Sequence, residues 1–174
     1  MAMVGLFWIA EGDVYVGAKP SGLGRGVRLT PEGVLALGDG RSRLFLWENV
    51  HALTVADVPV KTLRRQVGAA TGLALSTVIN LAAPEGGATE EAPPLMTVWL
   101  ASGDETHELP AYSAAAVGYT QTEVDLSRAL LTHLTEGAAT MATALTAMSE
   151  WGRAWEGGSP RRAEREELLR GWVG

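Results

Sequence analysis

The sequence predicts an α+β protein that is mainly antiparallel β, closed by an amphipathic helix and followed by further helices at its C-terminal end. Three observations carry this. Residues 26–58, GVRLTPEGVLALGDGRSRLFLWENVHALTVADV, read as three or four short strands joined by tight turns. Residues 95–100 and 106–109 flank Ser102-Gly103-Asp104 as a further hairpin. Beyond Thr122, apolar residues recur at helical spacing.

Taken in order, Leu6-Phe7-Trp8-Ile9 and Val14-Tyr15-Val16 surround Glu11-Gly12-Asp13, so residues 4–18 read as a hairpin. A glycine-rich loop follows, from Lys19 through Pro20 to Gly26. In the meander, Pro31-Glu32-Gly33 and Gly38-Asp39-Gly40-Arg41 are turn chemistry, because Pro presets φ and Gly takes positive φ without steric cost. Leu44-Phe45-Leu46-Trp47 is a continuous apolar run. Residues 61–83 fit a helix and a strand equally, since β-branched residues gather near the end of an otherwise helix-compatible stretch. Residues 84–94 are a loop by composition, with Gly86-Gly87 and Pro93-Pro94. Thr122 is the expected N-cap of a helix carrying Val124, Leu126, Leu130, Leu131 and Leu134, with Gly137 as its stop. A second helix carries Met141, Leu145, Met148, Trp151 and Trp155 until Gly157-Gly158 breaks it. Ser159-Pro160 should start the last helix, which ends in Leu168, Leu169, Trp172 and Val173. Trp47, Val50, Leu53, Phe45 and Trp99 are the expected core, with Leu130, Leu131 and Leu134 closing one end.

A chain of 174 residues with 47% hydrophobic and 20% charged residues has the means to bury a core without disulfides. It has no cysteine, which removes a disulfide framework, a cysteine-ligated zinc and a cysteine nucleophile, and is compatible with a reducing compartment. The apolar run of residues 4–10 has no Lys or Arg before it and is followed at once by Glu11 and Asp13, a poor signal peptide and a good first strand. The expected location is the cytoplasm. The net charge of -6 is uneven: one basic against ten acidic residues in 66–150, five against four in 151–174, and eight against six before them. An acidic middle argues against nucleic acid, whose binding needs clustered Lys and Arg.

The phrase Val27-x-Leu29-Thr30-x-x-Gly33-Val34-x-x-Leu37, followed by Leu46-Trp47-Glu48-Asn49-Val50-x-x-Leu53-x-Val55, resembles the middle strands of short bacterial pleckstrin-homology-like domains. The order of about seven strands and then an amphipathic helix is similar to theirs over residues 4–136. The resemblance implies a bent, nearly orthogonal sheet pair or barrel plugged by a helix, and a binding or assembly module rather than an enzyme. It divides the chain into a barrel domain, 1–137, with an insertion near 60–94, and a helical extension, 138–174. Fold alone does not set function.

Two groups of residues are candidate sites. Lys19, Arg25 and Arg28 would match, loosely, the basic loop with which lipid-binding members of that superfold hold phosphorylated headgroups, and exposed backbone N–H groups beside Arg suit phosphate. The plain alternative is a soluble loop, and neither nucleotide-binding glycine fingerprint is complete. Met141, Leu145, Met148, Trp151, Trp155 and Trp172 are the candidate partner surface, because Met and Trp recur at adaptable and energetically dominant contacts. Its alternative is a helix packed on its own sheet. Lys61, Arg64 and Arg65 before the uncharged residues 66–84 are the one place for a membrane, but that run is short and holds Thr71, Ser76, Thr77 and Asn80. His51, His107 and His133 lack metal-ligand spacing, and no serine lies in GxSxG. The chain therefore reads as a cytoplasmic protein-binding module without cofactor or metal, a homodimer or higher homo-oligomer through residues 138–174 with no nucleic-acid partner. The alternatives are a small β-barrel enzyme or flavin-type carrier, and a peripheral membrane or anion-binding protein.

Overall fold

The computed structural model describes residues 2–61, 94–115 and 118–174. Nearly all of the ambiguous stretch 61–83, and of the expected insertion near 60–94, lies outside the described residues.

Six strands form one antiparallel sheet in chain order: β1 (Ala2–Val4), β2 (Phe7–Ala10), β3 (Asp13–Val16), β4 (Gly26–Leu29), β5 (Gly33–Gly38) and β6 (Arg41–Leu46). Three more form a second antiparallel sheet, β7 (Val50–Ala56), β8 (Leu95–Ser102) and β9 (Glu105–Tyr112). The N-terminal hairpin is thus part of a three-stranded unit, since residues 2–4 also pair with β2. Turn chemistry sets the registers. Asp39 and Gly40 both take positive φ, 53° and 71°, and close the two-residue hairpin in which Gly38 faces Arg41.

The run 44–47 is not one buried strand. Phe45 is buried while Leu44 and Leu46 are exposed, the alternation of a half-buried strand. Trp47 starts a 3-10 turn, Trp47–Asn49, and its Nε1 donates to Thr30 O at 2.7 Å. The expected core is corrected accordingly. Phe45, Val50, Leu53, Leu130, Leu131 and Leu134 are buried in one cluster, whereas Trp47 packs at its margin. Trp99 is 36% exposed because it alternates with buried Val98 and Leu100.

The helices are α1 (Gln121–Leu134), α2 (Ala138–Ala154) and α3 (Arg162–Val173). The first and the last start away from their expected caps. Thr120, not Thr122, caps α1: its hydroxyl accepts from Glu123 N while the Glu123 carboxylate accepts from Thr120 N. A capping box needs Glu three residues on, and only Thr120 has it. Gly137 is the N-cap of α2 rather than a stop for α1. Pro160 precedes α3 and is buried, Ser159 Oγ accepts from Met3 N, and the Glu164 carboxylate takes up Arg161 N.

The α+β class holds, but among the described residues the sheets do not close into a barrel. β4 lies against β9, and Ala18 N donates to Tyr112 O at 2.7 Å. α1 crosses β7, where Arg128 Nε donates to Val55 O. α2 lies on β2 and β3 at close range: a Cβ on Gly152 would stand 2.3 Å from Ile9 Cγ2, so only glycine lets the backbone in. α3 packs on α1 and β1. Met141, Ala144, Leu145 and Met148 of α2 and Leu169 of α3 belong to the same apolar cluster as the strands.

Candidate functional site

The helical pair α2–α3 builds a groove lined by three tryptophans. Trp151 stands on the last turn of α2 and Trp155 is its C-cap, four residues on, and their rings stack, with centroids 5.2 Å apart and planes 22° from parallel. Trp172 of α3 meets Trp151 edge to face at 5.8 Å. Such tilted and offset arrangements suit the ring quadrupoles. The Gly157-Gly158 break turns the chain back, and Trp155 Nε1 donates to Gly158 O at 2.8 Å, which fixes that ring. The three indoles, Leu168 and the carboxylates of Glu164 and Glu167 line a groove of about 480 Å³.

α3 is held in place by a buried ion pair. Glu123 is 1% exposed, and its Oε1 accepts from Arg165 Nε at 2.5 Å. Arg165 Nη1 also donates to Pro160 O. Burial alone would raise the Glu123 carboxyl. The Arg165 hydrogen bond and charge, with the Thr120 N–H and hydroxyl, outweigh burial and hold it below the usual carboxylate range. The pair clamps the N-terminal end of α3 to that of α1, and so positions the helix that carries Trp172.

The groove has a one-sided charge. Residues 161–170 contain four arginines, and none lines it. Arg162 and Arg170 both face Glu166, at 3.6 Å each, and Arg165 is spent on Glu123. Glu164 and Glu167 are exposed, and neither has a cation within ion-pair distance among the described residues.

The expected partner stripe divides in two. Met141, Leu145 and Met148 are 6%, 4% and 0% exposed, and with Gly152 they form the line of α2 that faces β2 and β3. They are core of this chain and not a surface for a partner. Trp151, Trp155 and Trp172 stay half-buried and meet in the groove. The tail also does not swing away at Gly157-Gly158, since α3 docks on α1. Sequence reasoning missed Glu164, Glu167 and Leu168. Their signal was present as Glu164, Leu168 and Trp172 at i, i+4 and i+8, hidden by the charge run around them.

The three candidate anion-binding cations do not converge on one pocket. Lys19 is exposed in the loop. Arg25 lies 3.7 Å from Asp39, in a shallow groove that also holds Arg41 and Arg43. Arg28 lies 2.5 Å from Asp13, in a separate cleft of about 300 Å³ between α2 and the β3–β4 edge. Arg25 and Arg28 are each offset by a carboxylate, which weakens the local field a phosphate would need. Of the histidines, His133 contacts Glu136 at 3.0 Å, and the His107 ring meets Phe45 at a 50° tilt with centroids 4.7 Å apart. No three metal-ligating side chains gather among the described residues. No helix among them is long and apolar enough to cross a membrane.

Compared with protein families, curated proteins and solved structures, the chain matches none.

Proposed function

We propose that this chain is a non-enzymatic binding module and that its partner, a protein, seats in the groove of Trp151, Trp155 and Trp172. The observation that carries the reading is three half-exposed indoles, Trp151 in ring contact with both Trp155 and Trp172, beside a helix that a buried ion pair holds to α1. Rigid aromatic side chains supply contact area at little entropic cost and dominate many interfaces. A helix pair built into the core presents them without the ordering penalty that a loop would incur. The resemblance to pleckstrin-homology-like domains supports the same class, and the sequence favours the cytoplasm as its setting. Self-association through this groove is the homodimer form of the reading.

The test is retention of proteins from native cell extract on the immobilised full chain, with Trp155→Ala and, as a control on the outer face of β8, Trp99→Ala. A protein retained by wild type and Trp99→Ala but lost with Trp155→Ala supports the reading. Retention that ignores Trp155 contradicts it.

A further inference from the structure

We infer that the groove takes an arginine side chain presented by an extended peptide segment of the partner. This rests on the groove being the docking site and adds the chemistry of what enters it. Indole faces attract cations through the ring quadrupole, and a guanidinium does so while stacking flat. Glu164 and Glu167, one helical turn apart on α3, place two carboxylates on the same rim. Carboxylates bind the planar guanidinium fork through paired N–H donors, which an ammonium cannot match.

The chain's own cations leave this rim unneutralised. Arg162 and Arg170 are turned to Glu166, and Arg165 to Glu123. A cationic ligand therefore meets three aromatic rings and two carboxylates without an ion-pair partner, of which Glu164 already accepts the Arg161 N–H and Glu167 is the less engaged, while an acidic peptide or an anionic lipid surface meets repulsion. Length argues for a peptide over a small free cation. From Glu164 to Trp172 the rim follows α3 for roughly 12 Å at the helical rise. That accommodates about three or four extended residues, and the apolar stems of the peptide have Leu168 and the indoles to cover.

The experiment titrates the full chain with an acetylated, amidated pentapeptide Gly-Arg-Ala-Arg-Gly and follows tryptophan emission. The matched peptide carries citrulline, which keeps the shape and removes the charge. Saturable binding of the arginine peptide is expected, with the citrulline peptide about tenfold weaker or more, and an affinity that falls with added salt. Glu167→Gln should weaken binding about two- to fivefold and Glu167→Lys about tenfold or more. Glu167 is exposed, so both variants keep the fold. Glu48→Gln, the same charge change outside the groove, should leave affinity unchanged. Equal affinity for the two peptides, no binding of either, or indifference to Glu167→Lys overturns the inference. If a protein from extract still requires Trp155 while the arginine peptide does not bind, the inference falls and the groove reading stands.

Discussion

Replacing Arg165 by Ala should be among the most damaging single changes outside the apolar core. It strands the carboxylate of Glu123, 1% exposed, with only the two Thr120 donors. Removing one partner of a buried pair costs about 3–5 kcal/mol. With a urea slope of about 2 kcal/mol/M, the midpoint should fall by roughly 1.5–2.5 M at pH 7. The sign with pH follows from the folded carboxyl being held below its unfolded value. Its stabilisation is complete above the unfolded pKa, about 4.3, and is lost as pH falls through the folded one. Wild type should therefore lose stability below about pH 4.5, and the gap to Arg165→Ala should narrow there, because protonation removes the stranded charge. The double variant Glu123→Gln with Arg165→Met should recover much of the loss. Urea melts at pH 7 and pH 3.5 decide the matter. A midpoint for Arg165→Ala matching wild type at pH 7, or a gap that is the same at both pH values, would refute the assignment of Glu123 and Arg165 as the clamp on α3.

Other substitutions test the packing. Leu131→Ala empties a fully buried site and should cost about 2–5 kcal/mol by denaturation. Gly152→Ala should destabilise by about 1–3 kcal/mol despite better helix propensity, because its Cβ would sit 2.3 Å from Ile9 Cγ2; a variant as stable as wild type would show that α2 does not approach β2 so closely. A chain ended after Gly137 should lose cooperative unfolding by circular dichroism, since it lacks Met141, Leu145, Met148 and Leu169 from the core and Arg165 from Glu123.

Much of the architecture was legible in residue order. The turns at Asp39-Gly40 and Gly103, the strands between them and the existence of three helices follow from local chemistry. Helix starts did not, because Thr120 and Thr122 are both good caps in isolation and only the reciprocal bond with Glu123 selects one. Strand faces are harder to read at large aromatics, whose size suggests core. Trp99 and Trp47 are bulky enough to be half-covered at a surface or seam, and their burial depends on which way the pleat runs. The stripe on α2 was visible, but its division into core and groove was not. Two neighbouring lines of one helix carry Met148 and Trp151, and what covers each depends on where β2 and α3 lie. The arginines of 161–170 looked like a solvated charge run, and only their partners reveal that α3 keeps its cations out of the groove.

The most direct measurement of the central claim is the indole N–H spectrum of the full chain, in which six tryptophans give six resonances. Added to it is the partner retained from extract in a Trp155-dependent way. The resonances of Trp151, Trp155 and Trp172 should shift together while those of Trp47 and Trp99, outside the groove, stay in place. Shifts at Trp47 or Trp99 with the three groove indoles unmoved would place the partner elsewhere and contradict the account.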